Sequence, residues 1–199
     1  MARKKDDSGG TTQRFLRRIR SITAPKDLPQ LRELLKETQR EGLIDADALS
    51  MIEGVLDVTD LQVRDIMVPH NQMICVSIED PPRHMLQTAI DSGHSRFPVQ
   101  GPDGEGVVGI LLAKDLLKCF AGGSPPCDIS QLVRAVALIP ESKRLNVLLR
   151  EFRASRNHMA IVADEYGGVA GLVTIEDVLE QIVGEIDDEY DFDEASDNI

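Results

Sequence analysis

Thr174 and Asp177 stand three residues apart in "GLVTIEDVLEQIVGE" (171–185). There an apolar, β-prone run gives way to a helical stripe of Val178, Leu179, Ile182 and Val183. A hydroxyl and a carboxylate at that spacing have two uses. They cap the first helical turn as a capping box, in which Asp is a poorer third partner than Glu. They also hold a ligand lying on the helix N-terminus, where unpaired N–H groups and the dipole favour an anion. Catalytic arrangements are missing from the sequence: it has no G-x-S-x-G, no P-loop and no Cys/His nucleophile pattern. Lys114 is the one lysine beside a comparable junction. His94 and His158 have no Cys or His at metal-ligand spacing. Met67, Met73, Met85 and Met159 are scattered and read as core filler. No enzyme and no bound metal are expected.

The elements around that junction occur twice. At a shift of 62 residues, "GEGVVGILLAKDLLK" (104–118) falls on "YGGVAGLVTIEDVLE" (166–180), so that Gly109 meets Gly171 and Asp115 meets Asp177. Upstream, "SRFPVQ" (95–100) falls on "NHMAIV" (157–162) with no gap. Each unit predicts a short extended segment, a helix (82–91; 143–154) and a strand (97–100; 159–163). A glycine-containing hairpin, a second strand (107–112; 169–173) and a closing helix (113–120; 175–184) follow. About 60 residues bury too little surface to stand comfortably alone, so two units should share one apolar core. The first repeat keeps Asp115 but has Leu112 where the second has Thr174. That asymmetry suits one good ligand site and one degraded site. A single surviving cap would look the same.

Composition narrows the class. The 199 residues are 42% hydrophobic and 28% charged, ordinary for a globular chain, and 4% aromatic with no Trp, so the core is aliphatic. A net charge of −12 argues against nucleic-acid binding by the whole chain. No apolar run approaches the ~20 residues of a membrane span. Cys75, Cys119 and Cys127 form no C-x-x-C pair; they read as three free thiols in a reducing cytoplasm. The organisation expected is a basic disordered tail (1–25), a helical segment (26–60), two repeats (61–124 and 125–184) and an acidic tail (185–199). Within the tail, "RFLRRIRSI" (14–22) reads as a frayed basic stretch or as an amphipathic helix on an anionic membrane. In the helical segment, Leu31, Leu34 and Leu35 share a face, and Asp45 or Asp47 caps the helix carrying Leu49, Ile52, Val55 and Leu56.

A tandem repeat of this length, ending in G-h-h-T-x-x-D before a helix, resembles the cystathionine-β-synthase (CBS) domain pair, or Bateman module. "VRDIMVP" (63–69), "GHSRFPV" (93–99), "IPESKR" (139–144) and "NHMAIVADEYGGVAGLVTIEDVLEQIVGEIDDEYD" (157–191) are similar to the CorC/HlyC family of bacterial magnesium and cobalt efflux proteins. The resemblance covers about residues 28–192. It implies an α/β fold of the α+β type, a CBS pair with pseudo-twofold symmetry preceded by N-terminal helices. Members of this type continue into a C-terminal transporter-associated domain, which the resemblance implies is lacking here. Where they carry Arg after "IMVP", this chain has His70.

The resemblance also implies a site. An ionised Asp177 accepts both hydroxyls of a ribose, and the Thr174 hydroxyl reaches the ribose or α-phosphate. Leu172 from the second repeat, with Val68, Pro69, Ile74, His94 and Ser95 from the first, would form the adenine slot. His70, Arg96 and Arg156 are candidate phosphate partners. The expected ligand is AMP or ATP, with Mg²⁺ arriving on ATP. Partners implied are a second copy of the chain and a membrane transport protein, with the chain cytoplasmic or peripheral at the inner face of the plasma membrane. Two other readings stay open: a dimerisation module with a vestigial pocket, and a Mg²⁺-binding accessory protein using its acidic tail.

Overall fold

The structure, a computed structural model, describes residues 24–102, 104, 106–120 and 127–184. The basic stretch 14–22 and the tail 185–199 lie outside the described residues. The chain divides into two units, residues 1–53 and 54–199. In the first, helix α1 (Leu28–Arg40) begins at Asp27, whose side chain accepts the Gln30 N–H at 2.9 Å. Helix α2 (Ala46–Val58) runs on into the second unit. Asp45 rather than Asp47 caps it, accepting the Ala48 N–H at 2.7 Å.

The second unit holds two small sheets. In one, β2 (Val76–Ser77) pairs parallel with β3 (Arg96–Gln100), and β3 pairs antiparallel with β4 (Val107–Leu112). In the other, β5 (Ala137–Pro140) pairs parallel with β6 (Met159–Ala163), and β6 pairs antiparallel with β7 (Val169–Thr174). Strand β1 (Val68–Pro69) adds to β7. Helices α3 (Pro82–Ser92) and α4 (Ala113–Leu116) flank the first sheet, and α5 (Leu145–Ser155) and α6 (Ile175–Val183) the second. These are the repeated elements that the sequence predicts. The closing helix of the first repeat is shorter than expected, ending as a 3-10 turn at Leu117–Cys119.

The repeats exchange their lead-in segments. β1 lies in the opening segment of the first repeat but pairs with β7 of the second, Val68 opposite Leu172. Arg134 precedes β5 but bridges to Ile110 on β4, with reciprocal backbone bonds of 2.9 Å. Gly109 and Gly171 make room for the crossing. A Cβ at Gly109 would lie 2.5 Å from the Arg134 carbonyl oxygen, and one at Gly171 2.2 Å from that of Val68. Each apolar core mixes the repeats accordingly. Ile129 packs with Val76, Met85, Phe97 and Leu111, while Val63 packs with Leu145, Phe152 and Val178. A third cluster of Ile110, Met159, Ile161 and Leu172 joins β4 to β6 and β7. Each such side chain contributes roughly 1.5–3 kcal/mol on burial.

Two expectations are corrected. The repeat is not gapless. β4 maps on β7 at 62 residues, but the pairings Val76 with Val99 and Ile139 with Val162 require 63 for β2 and β3. The second hairpin loop is one residue shorter than the first. The cysteines are not three thiols either. Cys119 and Cys127 form a disulfide across a separation of eight residues, because the turn after α4 and the approach to the 3-10 turn Ile129–Gln131 run side by side. Cys75 is free and half-buried, and burial raises its thiol pKa.

Candidate functional site

Strand alternation puts Leu172 and Thr174 on one face of β7, and Met159 pairs directly with Thr174 across β6. That face, the exchanged β1 and the start of β3 enclose a cleft of about 360 Å³. Val68, Ile74, His94, Ser95, Arg96, Leu172, Thr174 and Asp177 all line it. Pro69 and His70 do not. Pro69 follows Val68 in β1, so it faces the opposite side and is exposed, and His70 lines a separate cavity with Met73, Cys75 and Gln100. Arg156 lies outside as well, in a second cleft. The sequence reading missed Gln72, Met73, Gly93, Pro98, Met159 and Glu176 as lining residues. Gly93 carried a usable signal, since it closes α3 in a left-handed conformation, φ 70°, where glycine is favoured. Met159 is 94% buried and lines the cleft, so its assignment to the core was half the answer.

At the head of α6, the Thr174 hydroxyl accepts the Asp177 N–H at 3.2 Å and Asp177 Oδ2 accepts the Thr174 N–H at 2.7 Å. The capping box is therefore formed. It uses one carboxylate oxygen and leaves Oδ1 without a donor among the described residues. A formed cap and a free acceptor thus coexist in one side chain. Glu176 also lines the cleft and lies 3.5 Å from His158 Nδ1.

The pseudo-twofold mate of this cleft, about 260 Å³, is lined by Arg96, Ile110, Leu112, Lys114, Arg134, Arg156, His158 and Met159, among others. Asp115, the counterpart of Asp177, does not line it. Its carboxylate is 7% exposed and is taken on both oxygens, by Lys118 Nζ at 2.7 Å and Arg134 Nη2 at 2.6 Å. The Lys118 hydrogen bond lowers the pKa of that carboxyl and Arg134 lowers it further, against the opposing effect of burial. Leu112 starts α4 without a side-chain cap.

Comparison with known proteins supplies the family. A CBS-domain profile matches residues 63–122 and 128–184, and one described as the N-terminal region of NMB0537 matches 23–58. The chain is 43% identical over 195 residues, 97% of its own length, to the magnesium and cobalt efflux protein CorC of Vibrio cholerae. The chain belongs to the CorC family. Its CBS pair spans the two clefts, and its fold is the α+β tandem repeat of that module. The chain covers 67% of the Vibrio relative and 57% of the Escherichia coli K12 protein, to which it is 48% identical. Among solved structures, the CBS domain of a bacterial CNNM/CorC family Mg²⁺ transporter in complex with ATP is 37% identical. It matches with a TM-score of 0.64 over 69% of this chain and 97% of that one. A CBS-domain pair with bound AMP from Klebsiella pneumoniae is 27% identical, with a TM-score of 0.55 over 62% of this chain and 99% of that one. Among the described residues of the CBS pair and its N-terminal helices, none forms a helix long and apolar enough to cross a membrane.

Proposed function

We propose that the CBS pair binds an adenine nucleotide, AMP or Mg-ATP, in the cleft headed by Thr174 and Asp177. The observation that carries this reading is the unclaimed Asp177 Oδ1 beside the N-terminus of a nine-residue helix. The ribose hydroxyls donate to Asp177, and the phosphate turns to the positive end of the α6 dipole and to Arg96. Leu172, Val68, Ile74, His94 and Ser95 surround the base. The ATP and AMP held by the two solved relatives support the ligand class. Charge balance refines it. Arg96 faces two carboxylates, Glu176 and Asp177, in the same cleft. A bare triphosphate would add like charge there, so ATP should enter with a divalent cation and AMP without one. Mg²⁺ would bridge the phosphates rather than occupy a site built by this chain.

The role is regulatory. Nucleotide binds one arrangement of the repeats better than another and shifts the population by that difference. Two copies associate about a twofold axis, and a membrane transport partner at the inner face of the plasma membrane reads the change during magnesium and cobalt efflux. Calorimetric titration of AMP, and of ATP with and without Mg²⁺, tests the reading on wild type and Asp177→Ala. Saturable binding that the substitution abolishes supports it. No binding by wild type leaves Thr174 and Asp177 as a helix cap and the pair as a dimerisation scaffold.

A further inference from the structure

The pseudo-twofold relation between the clefts exchanges their charge. Where the first has Glu176, the second has Lys114. Where the first has Val68, opposite Leu172, the second has Arg134, opposite Ile110. Gly93 closes α3, and Arg156 closes α5 in the same left-handed conformation, φ 57°. Arg156 is the one non-glycine residue with positive φ among the described residues. A side chain there costs roughly 1–2 kcal/mol, and such strain persists where the surroundings fix it, often at functional positions. Glycine, which relieves it, stands at the equivalent point of the other cleft.

We propose that this second cleft is a binding site for a small polyphosphate anion, held by Arg96, Lys114, Arg134 and Arg156. Three of these cations, Arg96, Lys114 and Arg156, have no ion-pair partner among the described residues, in a chain of net charge −12. Only Arg134 spends part of its fork, on Asp115. Four cationic side chains, of which Lys114, Arg134 and Arg156 are exposed and Arg96 is shared with the first cleft, line about 260 Å³ and call for an anion carrying several charges on adjacent groups. Guanidinium forks meet phosphoryl oxygens in bidentate pairs. A nucleoside is not the fitting occupant. Leu112 offers no hydroxyl, and both oxygens of Asp115 are consumed by the protein's own cations, so no carboxylate is left to accept the two hydroxyls of a ribose.

The inference does not rest on nucleotide binding in the first cleft, and one experiment separates them. Inorganic tripolyphosphate is titrated into the full chain at low salt, with AMP titrated in parallel. The variants are wild type, Asp177→Ala, the double variant Lys114→Gln/Arg156→Asn and the charge-keeping Lys114→Arg/Arg156→Lys. Asn is well tolerated in the left-handed region, so the neutral pair retains the fold. Tripolyphosphate affinity should fall at least about tenfold in the neutral pair, return in the charge-keeping pair, and survive Asp177→Ala. AMP affinity should be unchanged in the neutral pair. Absence of tripolyphosphate binding by wild type, equal binding by the neutral pair, or loss of binding in Asp177→Ala each overturns the assignment. The last would place the anion in the first cleft, and equal binding would place it on surface charge elsewhere.

Discussion

The two clefts of the CBS pair start from one plan and end with opposite chemistry. Each is roofed by the lead-in segment of the other repeat, and each looks onto a strand that ends at a helix carrying Asp at its third position. In the second repeat that Asp gives one oxygen to its own helix and keeps the other open. In the first, Lys118 and Arg134 close both. The difference is one of partners, not of residue type. A conserved-looking carboxylate at a repeat-equivalent position is a ligand group only when the protein's own cations leave it free.

The largest effect that tests this contrast is on affinity. Asp177→Ala removes two charge-assisted acceptor bonds worth ~1.5–3 kcal/mol each, so AMP affinity should drop by about two orders of magnitude or more. Asp115→Ala should leave AMP affinity as it was. Parallel calorimetric titrations of the two variants check both halves, and equal losses would erase the distinction between the clefts. Asp115→Ala should instead cost stability, about 1.5–3 kcal/mol and nearer the lower figure, since Lys118 and Arg134 are both more than half exposed. That corresponds to a fall in Tm of roughly 4–10 °C.

The pH dependence carries the same signature. The folded-state pKa of Asp115 is lowered, so its contribution is complete above the unfolded-state value, about 3.9, and is lost as pH falls through the lower folded value. Thermal melts of wild type and Asp115→Asn should differ at neutral pH and converge below pH ~4. A gap that persists into acid would mean that the substitution acts through packing instead.

The disulfide marks a third difference: it joins Cys119, after the closing helix of the first repeat, to Cys127 at the start of the second, and α6 carries no cysteine at the equivalent place. It ties the turn that follows Lys118 to the segment leading to Arg134, the two suppliers of charge to Asp115. Opening an eight-residue loop should cost about 2.5 kcal/mol on the chain-entropy account. Cys127→Ser should therefore lower Tm, and tripolyphosphate binding should weaken while AMP binding does not. Thiol titration of the unfolded, non-reduced chain should count one group, Cys75, and three after reduction.

How much of this could be read from residues depended on distance along the chain. Thr174 and Asp177 are neighbours on a helical turn, so their reciprocal bonds followed from spacing alone. The repeated strands and helices followed from periodicity, and eight lining residues of the first cleft from the family resemblance. The hairpin that loses one residue stayed hidden because glycine-rich loops align equally well either way, so the 62-residue shift absorbed the error. The exchange of lead-in segments was out of reach, since it consists of a two-residue strand and a single bridge. So was the fate of Asp115, decided by Arg134 nineteen residues away. His70 and Pro69 were misplaced because strand alternation over two residues gives no periodicity to read.

The smallest prediction isolates the partner argument from the residue argument. Leu112→Thr places at the first-repeat junction the residue type that heads the first cleft. The new hydroxyl can accept the Asp115 N–H, a cap worth about 0.5–1 kcal/mol, and the half-buried Leu112 gives back part of that in lost packing. Net stability should change by less than about 1 kcal/mol, which a urea melt resolves. AMP stoichiometry should not rise, because both Asp115 oxygens remain held by Lys118 and Arg134. If the single substitution creates a second AMP site, the missing hydroxyl alone had silenced it, and the cations around Asp115 yield to a ribose more readily than their geometry implies.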